Sequence, residues 1–252
     1  KSLDGGRSWK KMGLEKTRNI HRILINPQNP DIVYAGAIGN PYSEHPERGV
    51  FKSTDGGSTW ERILYTNDTS GVADMIMDPS NPNKLIVAMW QHRRTPWSLT
   101  SGGSGSGLFM TVDGGRSWKK LDKSAGLPSG NLGRIGLAIS RSNPNRIYAL
   151  VEATKNGLYR TDDGGYTWEL VNNDPRWVTN RPFYFQDIAC DPENENRIYL
   201  IYQVIAASMD GGKSFEQLDR GGSGLHADHH AFWINPLDGR FIVDGNDGGI
   251  GI

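Results

Sequence analysis

The chain has 252 residues, with 28 basic and 28 acidic side chains and therefore no formal net charge. That balance gives no strong field to hold nucleic acid or an anionic membrane, and no run of about eighteen apolar residues offers a spanning helix. The lone cysteine, Cys190, excludes an internal disulfide and suits the cytoplasm as well as a periplasmic or secreted protein.

The chain starts without an initiator Met and inside a repeat, so it reads as a mature or excised piece, and its lack of a signal peptide says little about location. The first octet is Ser2-Leu3-Asp4-Gly5-Gly6-Arg7-Ser8-Trp9. A strand over 20–25 follows, then the Pro-containing turn 26–30. A β-branched and aromatic strand over 32–36 leads through a variable loop to a third strand over 49–52. The octet then returns as Ser53-Thr54-Asp55-Gly56-Gly57-Ser58-Thr59-Trp60 and opens a fourth strand to Leu64.

The unit recurs along the chain. First strands are expected over 73–77, 134–139, 184–189 and 231–234, and second strands over 85–89, 147–151, 198–202 and 241–243. The octet comes back at 111–118, 161–168 and 208–215, the last ending in Phe215 instead of Trp. Its aspartates Asp4, Asp55, Asp113, Asp163 and Asp210 are 51, 58, 50 and 47 residues apart. Helical periodicity appears at no convincing length. Four antiparallel strands per repeat of about 50 residues make one propeller blade. The expected fold is an all-β β-propeller, one domain of about five four-stranded blades over 18–66, 70–122, 131–173, 181–219 and 226–252 plus 1–14. It could be a closed five-bladed ring or part of a larger one, for example seven-bladed. Because Gly249–Ile252 matches Gly49–Lys52 while Lys1 matches Lys52, residues 8–12 are expected to pair antiparallel with 249–252 and close the ring.

The octet itself is a hairpin turn. Its Gly-Gly pair supplies positive φ without a Cβ clash. The Asp carboxylate can accept from amides of its own turn, helped by the flanking hydroxyls. The closing aromatic can bury a large apolar surface. The five aspartates are therefore expected to be structural. Two stretches depart from the repeat: residues 37–48, and residues 90–107 with Trp90, His92, Arg93, Arg94, Trp97 and a Gly/Ser run. Both are taken as loops, and long loops on repeat scaffolds often form the binding face.

The octets resemble the Asp-box, or BNR, repeat of sialidases, xyloglucan-hydrolysing glycosidases, a photosystem assembly factor and the sortilin receptors. With the order Asn-Pro turn, Val-Tyr strand and Asp-Gly-Gly hairpin, and with the segments 89–97, 229–236 and 246–249, the whole chain is similar to bacterial Asp-box propellers grouped with the sortilin N-terminal (Vps-ten) family. The resemblance implies the propeller fold. It implies little about activity, because the Asp-box serves folding throughout and one fold hosts many functions. It also implies further blades from a longer parent chain.

Polar residues opposite the octets include all six histidines, and a ligand site is expected to draw on Arg94, Trp97, His226, Asp228 and His229. A sialidase would need an arginine triad, for which Arg94, Arg134 and Arg181 could be recruited, but no Arg-Ile-Pro segment is present. A glycosidase would need two facing carboxylates, which Asp74, Asp187 and Asp228 could supply from equivalent positions of three blades, with Trp90, Trp97 or Tyr184 as sugar platforms. On an extended strand His226, Asp228 and His230 span about 13 Å, too far to converge on one metal ion without a bulge. Cys190 reads as core. No metal or cofactor is called for. The favoured reading is a non-catalytic module for a protein, peptide or glycan, secreted or periplasmic in a bacterium. The alternative is the propeller portion of a glycoside hydrolase acting on a polysaccharide.

Overall fold

The structure, a computed structural model, describes residues 1–218 and 224–252, so the expected end of the fourth blade at 219 lies outside the described residues. Blade one comprises β1 (Ile20–Ile25), β2 (Val33–Ala37), β3 (Gly49–Ser53) and β4 (Glu61–Leu64). Blade two holds β5 (Ser70–Met77), β6 (Leu85–Thr95), the extra strand β7 (Ser98–Ser101), β8 (Gly107–Thr111) and β9 (Lys119–Leu121). Blade three is β10 (Ile135–Ile139), β11 (Ile147–Val151), β12 (Gly157–Thr161) and β13 (Glu169–Asn172). Blade four is β14 (Asp187–Cys190), β15 (Ile198–Ile201), β16 (Ile205–Ser208) and β17 (Glu216–Gln217). Blade five shows β18 (His229–Ile234), β19 (Ile242–Asn246) and β20 (Gly249–Gly251). Each sheet is an antiparallel meander in chain order, with β7 paired only to β6. The result is a β-propeller with the first strands innermost. One helical turn, α1 (Pro175–Val178), is capped by the Asp174 carboxylate.

The octets fold as their chemistry requires. Asp55 Oδ1 accepts from the Thr59 amide at 2.9 Å and the Ser53 hydroxyl at 2.8 Å, and Oδ2 accepts from Thr59 Oγ1 at 2.6 Å. Ser53 Oγ in turn accepts from the Gly57 amide at 2.8 Å, while Gly56 and Gly57 take φ of 71° and 95°. The other four octets repeat this set through Asp4, Asp113, Asp163 and Asp210. Bonds to an ionised carboxylate favour that form, and the Thr59 hydroxyl and amide bring Asp55 down to about 2. The amides of Gly56, Gly114, Gly164 and Gly211 donate to carbonyls of Asp31, Asn83, Asn145 and Asn196 at 2.8–2.9 Å. That bond ties each octet to the Asn-Pro turn of its own blade and sets both at the same end.

The core is divided into layers between blades. Tyr34, Val50, Val72, Met75 and Leu85 pack blade one on blade two. Ile86, Leu108, Ile135, Tyr159 and Trp168 join blades two and three. Tyr148, Leu158, Ile188 and Leu200 join three and four, and Tyr199, Ile201, Phe232 and Ile234 join four and five. Alternation along β1 sends Leu24 inward and leaves Ile23 and Ile25 exposed. Likewise Trp233 on β18 points away from blade four and is half exposed. The outer face of blade five is thus bare, whereas on blade one Ile23 and Ile25 are open but Ala35, Ala37 and Phe51 are buried beneath Leu14 and Trp60.

The expected closing ladder is not formed. β20 pairs with β19 alone among the described residues. The N-terminal segment lies against blade one instead: Met12 O accepts from Trp60 Nε1 at 2.7 Å, and Lys1 Nζ donates to Gly56 O at 3.3 Å. Lys52 makes the matching bond to Gly114 O at 2.8 Å. Residues 1–12 therefore occupy the place that the outer hairpin of a preceding blade takes on its neighbour. The octet aromatics also differ in burial: Trp168 is 5 % exposed beneath the preceding segment of Ala125 and Leu127, whereas Trp9 is 76 % exposed.

Candidate ligand-binding face

Bulges in the first strands aim charge at the axis. The register shifts between Ile20 and Arg22 on β1, and between Val72 and Asp74 on β5. Arg22 Nε then meets Asp74 Oδ1 at 2.7 Å, and its NH2 reaches Asp187 of blade four at 3.4 Å. Arg134 NH2 lies 3.7 Å from the same Asp187 oxygen. Asp74 also accepts from the amides of Met75 at 2.8 Å and Leu137 at 2.9 Å. Asp74 raises Arg22 above the ordinary arginine range, while burial lowers Arg134. His21, beside them, is pushed down by burial and by both arginines, and its Nε2 is buried without a partner.

This arrangement bears on the carboxylate reading. Asp74 and Asp187 do meet, but with a guanidinium between them instead of an open gap. Asp74 is 4 % exposed and hydrogen-bonded on both oxygens. Asp228, the third of the set, lies at the start of β18 with φ 64°, its carbonyl accepting from the Asp247 amide at 3.2 Å. Arg22 was absent from the expected site; its place two residues after the predicted strand start, level with Asp74, was the signal that could have found it.

The stretch 90–107 is a built projection, not a free loop. β6 runs on to Thr95, turns at Pro96-Trp97 and returns as β7. The Gly/Ser run is tied down: Ser106 Oγ accepts from the Gln91 amide at 2.8 Å, and Gly105 N donates to Gln91 Oε1 at 3.1 Å. At the tip Trp97 is 84 % exposed. Trp90 is not a platform: it is 3 % exposed, stacked on His92 at 4.3 Å and met edge-on by Phe183 at 5.1 Å. Burial holds His92 down at about 4, so it stays neutral.

Phe183, Tyr184 and Phe185 continue the aromatic row to His230 of blade five, which stacks on Phe185 at 5.1 Å. Arg181 takes φ 54°, costly for a non-glycine residue. In that conformation its carbonyl accepts from the Tyr184 and Phe185 amides, and its guanidinium lies 5.1 Å from the Tyr184 ring centre. Arg94 comes to the same tyrosine, donating from NH1 to its hydroxyl at 2.6 Å, with the guanidinium 5.6 Å from the ring centre. Arg94 is held from behind by its own amide, which donates to Pro41 O at 2.7 Å. The aromatic run after Arg181-Pro182 marked this spot in the sequence, although the reading centred on blade five.

Blade five disperses its expected cluster. A bulge between His229 and Ala231 breaks the alternation of β18. His229 turns inward and pairs with Asp244 at 2.8 Å, buried, while His230 points out to Asp247 at 3.2 Å. His226 is exposed, its Nδ1 against the Ala227 carbonyl. The structure thus brings Arg94 to Tyr184, leaves Trp97 and His226 exposed, and makes His229 an internal hydrogen-bonding group. Among the described residues no three His, Cys, Asp or Glu side chains are grouped as metal ligands. Clefts of about 320 Å³ and 590 Å³ flank α1, and an apolar one of about 200 Å³ sits at the seam of blades four and five, all away from the Arg22 network.

Comparison with known proteins agrees with this architecture. The sequence profile of the Sortilin-Vps10 family (sortilin, neurotensin receptor 3) matches residues 1–129, and that of the BNR/Asp-box repeat matches 159–170. Xyloglucanase Xgh74A of Acetivibrio thermocellus is 24% identical over 263 aligned residues, covering 86% of this chain and 28% of its own. A probable oligoxyloglucan-reducing end-specific xyloglucanase of Neosartorya fischeri is 26% identical over 204, covering 73% and 23%. The chain spans about a quarter of the length of the curated relatives it matches. Among solved structures, an ancestral GH74 enzyme superposes with a TM-score of 0.69 at 18% identity, over 96% of this chain and 31% of that one.

Proposed function

The chain belongs to the sortilin (Sortilin-Vps10) family, and from that footing we propose that it is the propeller portion of a glycoside hydrolase acting on a polysaccharide, holding the glycan without cleaving it. The observation that carries this reading is the match to xyloglucanases across most of the chain. The chemistry of the axis supports the division of labour. Its two innermost carboxylates are spent on Arg22, so cleavage would need an acid or base from elsewhere in a larger protein. Trp97 offers a bare indole at the tip of the β6–β7 hairpin. The C–H face of a pyranose ring can bury against such a surface, and Arg94 and Tyr184 stand behind it as hydrogen-bonding groups. This role suits a protein secreted or held in a bacterial periplasm.

Titration calorimetry with a panel of neutral and acidic oligosaccharides, xyloglucan fragments among them, tests the reading. Binding is expected, with no release of reducing ends by the 252-residue chain alone. Trp97→Ala should weaken binding roughly tenfold, as loss of one aromatic contact implies, without moving the melting temperature. Absence of any glycan binding would reject the proposal. The second reading is a non-catalytic module for a protein or peptide. The engaged state of Asp74 and Asp187 favours it equally, and capture of peptides but not glycans from an array would select it.

A further inference from the structure

We infer that the glycan this face takes is acidic, and that Arg94 and Arg181, gathered at Tyr184, receive a carboxylate of a uronic-acid-type sugar. The inference rests on the glycan-binding reading above. It starts from a contrast between two pairs of arginines. At the axis Arg22 and Arg134 are neutralised by Asp74 and Asp187 within 4 Å. Farther out, Arg94 and Arg181 lie within 5.6 Å of one ring centre, and among the described residues neither has a carboxylate within ion-pairing distance.

Two guanidiniums held on one tyrosine repel each other, and an aromatic ring offsets only part of that. A bound anion removes the repulsion and uses the fork of each guanidinium. The groups are placed for it. Arg181 is exposed and Arg94 and Tyr184 are half exposed, so all three can be reached from solvent. The Tyr184 hydroxyl oxygen accepts a hydrogen bond from Arg94 NH1, and its own O–H can donate to a ligand. The Arg94 guanidinium is held by its bond to the Tyr184 hydroxyl, and that of Arg181 lies over the same ring. Trp97 on the same hairpin as Arg94 favours a sugar ring over a peptide as the carrier of the charge.

The test is calorimetry of the whole chain with oligogalacturonate, the same oligomers methyl-esterified, xyloglucan oligosaccharides and an acidic peptide of equal charge. Oligogalacturonate is expected to bind at least tenfold tighter than its ester. Arg94→Gln and Arg181→Gln should each erase about tenfold of that margin, the worth of one charge-assisted hydrogen bond. Both variants should keep the parent melting temperature, and Arg94→Lys should recover part of the loss. Equal binding of acid and ester, or a margin untouched by both variants, overturns the inference and leaves glycan binding standing. Tighter binding of the acidic peptide than of any glycan overturns it in favour of a protein ligand. No glycan binding at all removes both readings together.

Discussion

Trp168 sets the scale for what an octet contributes to stability. Its indole is 5 % exposed, packs among Leu127, Leu132, Ile135 and Tyr159, and donates Nε1–H to Gly165 O at 3.1 Å. Its amide donates to Ala125 O at 2.7 Å, which fixes the turn 122–126 over it. Removing a side chain that buries roughly 200 Å² loses about 5 kcal/mol at 25 cal/mol per Å², and measured Trp→Ala changes run about 3–5 kcal/mol. Trp168→Ala should therefore shift the urea midpoint strongly and lower the melting temperature by roughly 10 °C for a chain of this size. Trp9→Ala deletes the same side chain from the same octet position, but in solvent, and should stay within about 0.5 kcal/mol. Equilibrium urea unfolding of both, followed by circular dichroism, makes the comparison. Equal effects at the two sites would refute the argument that blade-to-blade burial, and not the octet turn, is what the aromatic supplies.

Three further outcomes follow. The octet carboxylates titrate lower in the folded chain, Asp4 and Asp55 to about 2 against an ordinary 3.8; their contribution is present above pH 4 and lost as pH falls toward 2. Urea midpoints should drop over that window, and Asp55→Ala should lower stability at pH 7, flatten the acid limb and leave glycan binding intact. Asp74→Ala orphans the Leu137 amide and leaves Arg22 with one partner; because Arg22 is partly exposed, the cost should sit near the low end for a broken ion pair, about 3 kcal/mol by chemical denaturation. Cys190 is half-buried, its thiol pushed up to about 12 by that burial, and should react slowly with Ellman's reagent in the native chain and fully in urea; rapid native labelling would contradict the raised thiol.

Most of the fold was legible because the octet is a covalently local device. Asp55, Gly56, Gly57 and Thr59 make their bonds within five residues, so spacing alone revealed the repeat and the strands between. What was missed depends on contacts the pattern does not encode. The Gly/Ser run read as a loop because its order comes from Gln91 and Leu132, distant in sequence. The N-terminal octet was assigned to blade five by repeat phase, whereas Trp60 and Met12 hold it to blade one. The site was half legible. Arg94, Trp97 and Tyr184 stand on the expected face, but one extra residue in β18 reversed His229, and strand alternation cannot foresee a bulge.

The bare flank of blade five gives unfolding a direction. Four apolar layers are each shared by two blades, so a central blade loses two of them on opening and blade five only one, while blade one keeps a second layer with the N-terminal segment. Amides of β18–β20 should therefore exchange with deuterium first, β10 and β11 last, with rates graded between them like links in a zip. Anything that covered Ile23, Ile25 or Trp233 would slow the fraying at that margin alone, so the exchange profile along the chain would report which flank had found a neighbour.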